Sequence, residues 1–487
     1  MLLYSCLFLL LQPVASRSLD LRASEALTNL TGPGTPASTS SNPQVFFKQQ
    51  YENPAETFSV LLLIGGDIVQ KAIAQLVGYQ LRGFYITPTA FSFGWVAYAF
   101  NALNSALSDG SLMPSPDIVC RVIPLSREGD RENESWVIGR LVRDLEIHKH
   151  LVMPDEVVRE TDSGGKPKTT KKKYMKPVFT FLTTKEKPGC PKADKIWWSF
   201  VLFLPLQLLI AAIPTILPQR NWGILLITGA GSFLAMITGS LPQWMEEKYA
   251  CRKDSRDTYV LTRGNGHQHV FVIENAPPSK GGIKEGGPKR PGTSLNMEDL
   301  AIRSPRATRL SRSTLVVLAV AWVFFLITAG GIEQDTWYLM GVGGLGMVHN
   351  VYVANAVRQP AAHGVPVVEE NLGSCTRIKA ESKEKAMAVL MKAEKYRPGV
   401  GLAVLTTFFP GRLDKQEAEL WDKARRTLEL RREAFKAGED PLPDPWTVPE
   451  GTTTVTITGA QKSVQISREQ AQPAPIRRSS TIPSSAI

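Results

Sequence analysis

The sequence is poor in the residues that metal sites and covalent frameworks need. Its five cysteines, Cys6, Cys120, Cys190, Cys251 and Cys375, lie far apart and form no C-x-x-C. An odd, scattered set argues against both a disulfide framework and a thiolate zinc site, and leaves free thiols. Histidines number only six in 487 residues. His148-Lys149-His150 and His267-Gln268-His269 each offer two imidazoles on one strand face, without a third ligand nearby, so no metal and no cofactor is expected. No Ser/His/Asp or Cys/His arrangement has a recognisable local context, and an enzyme is not expected. The run GVGGLG, with Gly341, Gly343, Gly344 and Gly346, lies inside an apolar stretch. It does not open a βαβ unit, so it reads as helix packing rather than a dinucleotide loop. TRGNG, at 262–266, lacks the Lys-Ser/Thr of a phosphate loop and reads as a turn.

What the chain has is segregation. Its mean hydropathy of −0.09 is that of a soluble protein. Yet the apolar residues gather in five runs, 85–107, 196–217, 222–241, 315–332 and 337–357, with a weaker sixth at 57–78. About 20 apolar residues cross a bilayer core. Tyr85, Trp197, Trp198, Trp222, Trp244, Trp337 and Tyr338 stand at the ends of runs, as interfacial aromatics do. Lys and Arg exceed Asp and Glu, 56 to 45, and the net charge of +11 is concentrated in 121–195, 248–312 and the tail beyond 358. Flanking cations mark the cytosolic side. The long loops and the tail therefore read as cytosolic, and the short connections around Arg82, Arg220 and 333–335 as facing away. Orientation explains the basic balance more simply than nucleic acid does. The expected fold is an α-helical polytopic membrane protein of about six transmembrane helices, with a small cytosolic α/β domain and disordered termini. Its transmembrane pairs would occupy 57–107, 196–242 and 314–357, with a basic cytosolic loop over 108–195.

The amino terminus conflicts with that topology. MLLYSCLFLLLQPVAS, within 1–17, resembles a signal peptide, although it lacks a basic start. Its cleavage would place Asn29, in the acceptor Asn29-Leu30-Thr31, on the lumenal side. A span over 57–78 would then export the basic loops. The charge pattern favours six spans with both termini cytosolic over a segment at 57–78 that enters without crossing.

Between the runs, 18–56 and 441–487 have disordered composition. TYVLTRGNGHQHVFVI has two β-prone runs, 259–262 and 270–273, around Asn265-Gly266, a strong hairpin turn. In the tail, VPVVEE, TRIKAE and 402–409 read as strands, and 382–395 and 415–437 as helices, the last with Ala418, Trp421, Ala424 and Leu428 on its apolar face.

The motifs IGGDIVQKAIAQL, ITPTAFSFGWVAYAF, LTRGNG, LNMEDLA, TWYLMGVGGLGM and FFPG occur in that order. They resemble those of a family of multi-pass membrane proteins of filamentous fungi. The resemblance covers most of 57–421, implies the polytopic fold and brings no activity with it.

The polar residues inside the runs are the candidate site. Asp67 and Lys71, at i and i+4, lie on one helix face and can pair. A charge at mid-bilayer costs roughly 2.5–3.5 kcal/mol on insertion scales, so such a pair should face the protein interior or a water-filled path. Tyr98, Asn101, Asn104, Gln207, His349, Asn350 and Asn355 add polar atoms, as interhelical contacts or as the lining of a polar cavity. Arg303, Arg306, Arg309 and Arg312 recur every three residues before the fifth run and fit anionic lipid headgroups. Arg477-Arg478-Ser479-Ser480 resembles a basophilic kinase site. The functional expectation is a non-catalytic membrane scaffold with cytosolic protein partners and the bilayer, in the plasma membrane or an endomembrane. The alternative is a transporter- or channel-like protein with a polar path around Asp67, Lys71 and His349.

Overall fold

The computed structural model describes residues 60–437 except 82, 109–110, 149–150, 152–155, 162–166, 173–175, 186–187, 217–220, 276–293, 303–307, 333, 369–371, 373–374 and 381–383. The leader, Asn29, both end segments, Arg303, Arg306 and Arg477-Arg478 fall outside the described residues. From the amino-terminal side the elements are α1 (Gly66–Leu76), β1 (Gln80–Leu81), β2 (Phe84–Tyr85), α2 (Trp95–Leu107), β3 (Arg121–Pro124), β4 (Arg131–Glu132), α3 (Trp136–Ile147), β5 (Glu156–Thr161), β6 (Pro167–Lys172) and β7 (Val178–Thr184). Then follow α4 (Lys195–Trp198), α5 (Phe200–Ile216), α6 (Gly223–Gly239), α7 (Pro242–Lys248), β8 (Tyr259–Thr262), β9 (His269–Asn275), α8 (Met297–Ile302), α9 (Arg309–Gly330) and α10 (Thr336–Asn355). A 3-10 turn (Pro360–His363), β10 (Arg377–Ile378), α11 (Ala386–Tyr396), α12 (Val400–Phe408) and α13 (Lys415–Ala437) close the described chain.

The apolar runs do not all become spans. Among the described residues, two helical stretches are long and apolar enough to cross a membrane, Lys195–Ile216 (α4 and α5 together) and Arg309–Gly330. A third joins α6 and α7 across a 41° bend. The expected six uniform spans are corrected by helix length. α1 has 11 residues and α2 has 13, about 16 and 20 Å against a hydrocarbon core of roughly 30 Å. α10 has 20 residues, but its glycines, His349 and its asparagines leave it outside the stretches apolar enough to cross. Glycine decides where the short helices begin. Gly65 and Gly94 are the N-caps of α1 and α2, both left-handed, with φ of 92° and 87°. A Cβ on Gly94 would lie 2.6 Å from the carbonyl carbon of Gly65, so the two helix starts touch.

The segment 86–94, expected as the first half of a helix, is non-helical, ends in a turn at Phe93-Gly94, and is mostly buried among α5, α6, α9 and α10. Its backbone groups find side chains instead of a helix ladder, as burial demands. Gln207 Nε2 donates to the Phe91 and Val342 carbonyls at 2.8 and 2.9 Å. Thr89 Oγ1 donates to the Ala235 carbonyl and the Ser240 hydroxyl accepts from the Thr87 amide. Gly346 allows the approach, since a Cβ there would sit 1.9 Å from the Phe91 oxygen.

The basic segment 108–195, expected as a loop, supplies three strands of the main sheet. That sheet runs β10-β7-β9-β8-β3-β4, with β7 and β9 parallel and the other neighbours antiparallel. The hairpin expected at 259–273 is there, Tyr259 opposite Ile273. Alternation serves two cores. Leu182, Leu261, Phe271 and Ile273 pack with Trp136, Leu141 and Leu300, whereas Phe179, Phe181, Val260, Val270 and Val272 pack with Leu390, Val404 and Trp421 of the tail helices. One expected strand, 402–409, is the helix α12. Its buried Val400, Gly401, Val404 and Leu405 recur at helical spacing, and Gly401 meets the Leu390 carbonyl of α11. α13 occupies the expected 415–437, with Trp421 and Leu428 buried.

Candidate functional site: a charged seam at the helix ends

The sequence-predicted polar residues divide. Asp67 and Lys71 are exposed, and Lys71 turns not to Asp67 but to Asp117, 3.8 Å away. The expected buried pair is therefore corrected. α1 starts only at Gly66, and Gln70, three residues beyond Asp67, already donates to Leu112 in the loop that covers the helix. Asn101 and Asn104 lie on the outer face of α2. His349 and Asn350 are buried. His349 Nε2 lies 2.8 Å from Ser199 Oγ, and its ring rests on Phe203 at 4.4 Å. Asn350 Nδ2 donates to Ser92 Oγ at 2.7 Å. Asp67, Asn101 and His349 do not converge on one path. Arg309 and Arg312 occupy the first turn of α9, where the helix dipole does not favour cations.

The densest set of buried charges was not anticipated. It lies where α1, α10 and the first apolar helix meet the sheet-bearing part. Arg140 of α3 is 2 % exposed. Its Nη1 lies 2.7 Å from Asp117 Oδ2, its Nε 3.5 Å from Asp144, and its Nη2 donates to the Ala354 and Ala356 carbonyls at 2.7 and 3.0 Å. Those carbonyls end α10. Lys248, at the end of α7 and 1 % exposed, donates to the Ala74 and Val77 carbonyls at 2.7 and 2.8 Å, which end α1. Arg358 takes Asp194 in a two-pronged pair at 2.7 and 2.8 Å and also donates to the Gln75 carbonyl. Asp194 in turn accepts from the Trp197 amide and so caps α4. Gln75 Nε2 donates to the Ala356 carbonyl at 3.1 Å and ties α1 to α10 directly.

The electrostatics are coherent. The last carbonyls of a helix have no intrahelical donor and carry the negative end of its dipole. Buried cations on these ends meet negative charge that a carboxylate count omits. Asp144, 1 % exposed, accepts from the Arg358 amide and lies 2.8 Å from His363 Nε2. Burial holds the His363 imidazole below its usual range, against the pull of Asp144. Arg140 and Lys248 also flank the Trp136 ring at 5.9 and 5.8 Å, a cation–π geometry. A family-level comparison adds nothing to this picture: the chain matches no family model, no curated protein and no solved structure.

Beside the seam opens a cavity of about 480 Å³, lined in part by Ser111, Glu134, Trp136, Glu247, Lys248 and Leu300. Glu247 Oε2 accepts from Ser111 Oγ and from the Leu112 and Met113 amides, at 2.6, 2.6 and 3.0 Å. No group of three or more His, Cys, Asp or Glu is placed to hold a metal among the described residues. Cys120, Cys190, Cys251 and Cys375 form no disulfide. Burial, reinforced by Glu146, pushes the Cys120 thiol up to about 12, so it stays protonated. One sequence signal pointed to the seam, namely Arg140 and Asp144 at i and i+4 on an amphipathic helix. Asp194, Lys248 and the stretch holding Arg358 and His363 come from segments far apart in the chain and carry no such signal.

Proposed function

We propose that the chain is a multi-pass membrane scaffold that holds a rigid α/β domain against the cytosolic face of the bilayer. The observation that carries this reading is the seam. Lys248, Arg140 and Arg358 bind the carbonyl ends of α1 and α10, and each is tied to α3, which packs on the sheet: Arg140 belongs to it, the Arg358 amide donates to Asp144 and Lys248 lies over the Trp136 ring. Removing a partner from such a network leaves a buried charge, which costs about 3–5 kcal/mol. A domain fixed this way moves with its membrane anchor and presents the tail helices α11–α13 in one orientation to cytosolic partners. The excess of basic residues on the sheet-bearing side supports that side as cytosolic, and the resemblance to fungal multi-pass membrane proteins is in keeping with the anchor.

A second reading, a transporter- or channel-like protein, is favoured by one observation. α1 and α2 begin part-way along α10, behind the buried non-helical segment 86–94, as half-helices do where backbone lines an intramembrane path. Such a path would run by His349, Asn350 and Ser92 rather than by Asp67 and Lys71. Reconstitution of the full chain into vesicles with proton, sodium, potassium and chloride gradients separates the readings. The scaffold leaves every gradient to decay as in protein-free vesicles. A selective flux, lost in His349→Ala or Asn350→Ala, overturns it.

A further inference from the structure

The hairpin β1–β2 carries an apolar face with no protein to cover it. Leu81 lies opposite Phe84 and Gln80 opposite Tyr85, and directly opposed residues point to the same side of a ladder. Phe84, 74 % exposed, and Leu81, 36 %, share one face, and Tyr85, 41 % exposed, lies with Gln80 on the other. A two-stranded hairpin is marginal on its own in water, and this one has two residues in each strand. Something outside it must favour its apolar face.

Its position identifies the occupant. Tyr79, just before β1, meets the Trp197 ring edge-on at 4.7 Å, and Trp197 meets Trp198 at 4.9 Å. Trp198 is half exposed and stands at the head of the outward apolar ridge of α5, with Val201, Leu202 and Leu209 exposed. Thr87, two residues after β2, binds Ser240 where α6 ends. The hairpin therefore sits at the rim of the sheet-bearing end of the bundle, not at the opposite end where the sequence had placed the turn around Arg82. Tyr79 and the buried Trp197 link the hairpin by ring contacts to Trp198, the exposed ring that heads the surface the long apolar helix turns outward. Tyrosine and tryptophan at such a level are the side chains of a membrane–water boundary.

We propose that the β1–β2 hairpin is an interfacial wedge, with Leu81 and Phe84 entering the boundary between headgroups and acyl chains beside the start of α5, and Tyr85 on the other face beside Gln80. This rests on the membrane reading above and adds a bilayer contact made by a segment that does not span. It also sets the bilayer surface at the level of the exposed Trp198.

The test places the photoreactive residue p-benzoylphenylalanine at position 84, 209 or 420 of the full chain in phosphatidylcholine vesicles. After irradiation, lipid adducts are read by mass spectrometry. Position 209 reports the outward face of α5, and position 420, exposed on α13, reports the aqueous side. Lipid adducts at 84 and 209, at least several-fold above 420, are expected. Adducts at 209 with none at 84, or with position 84 cross-linking only to protein, overturn the wedge and leave the membrane reading standing. Absence of lipid at both 84 and 209 overturns the membrane reading itself, and the wedge with it. Position 81 carries the same expectation where 84 does not accept the probe.

Discussion

Replacing Arg140 by methionine removes the most connected side chain of the seam while keeping most of its stem. Four acceptors lose a donor or a countercharge. Asp117 retains Arg143 at 3.6 Å and Lys71 at 3.8 Å, and Asp144 retains His363 and the Arg358 amide. The Ala356 carbonyl retains Gln75. The Ala354 carbonyl loses its guanidinium donor, and the surviving partners of Asp117 are longer and wetter. A buried ion pair broken from one side costs about 3–5 kcal/mol, and the remaining partners place Arg140→Met at the lower end, near 3. Arg140→Lys keeps the charge but cannot reach two carbonyls and two carboxylates with one ammonium, so about 1–2 kcal/mol is expected. Asp117→Asn, at a carboxylate 16 % exposed, should cost about 1 kcal/mol. Because both act on one contact, the double variant Arg140→Met with Asp117→Asn should fall short of the sum of the singles. Reversible unfolding in lipid–detergent mixtures measures all four. An Arg140→Met chain within about 0.5 kcal/mol of the parent, the range of an ordinary surface change, refutes the reasoning.

Three further outcomes follow from the same geometry. Gly346→Ala should abolish stable expression, since its Cβ would overlap the Phe91 carbonyl, whereas Gly341→Ala on the same helix meets nothing within 4 Å and should gain a few tenths of a kcal/mol from helix propensity; equal behaviour of the two in a fluorescence-detected size-exclusion assay refutes the close approach. Asp67→Ala should change stability by less than about 0.5 kcal/mol, because Asp67 is exposed and Lys71 has Asp117; a loss of 2 kcal/mol or more restores the buried pair. Burial holds His363 below its usual range, so the unfolded chain takes up the proton first as pH falls through about 6.5. The contribution of His363 is complete above that pH and is lost below it, at no more than about 1.4 kcal/mol per pH unit. Burial raises Asp257 and lowers His269, so the readout is the difference in slope between the parent and His363→Gln from pH 7.5 to 5; parallel slopes refute the assignment.

The sequence made the strongly patterned parts legible. The hairpin around Asn265-Gly266, the apolar stretches over α5 and α9 and the amphipathic α13 were visible because each is set by local periodicity. The span count was not, because an apolar run of 23 residues over 85–107 reads alike whether it is one helix or a non-helical stretch followed by a short helix. Gly94 with a positive φ and hydrogen-bond partners on three other helices decide that, and none of these is local. The α12 segment alternates too weakly to separate strand from helix, and packing of Gly401 on α11 settles it. Asp67 and Lys71 drew attention as charges in an apolar run. The charges that are buried stand in segments whose basic composition made them look solvated.

The scaffold proposal requires a bundle packed and fixed to the sheet-bearing domain, without an aqueous path inside it. Amide hydrogen exchange on the full chain in lipid nanodiscs tests this most directly, peptide by peptide over 86–94 and 343–350. A packed interior, with Phe91 bonded by Gln207 and Ser92 by Asn350, predicts exchange in both peptides as slow as in the core strands β7 and β9, and faster exchange in Arg140→Met. Rapid exchange in both peptides of the parent chain, against slow exchange in β7 and β9, would contradict the proposal and put water beside His349 and Asn350.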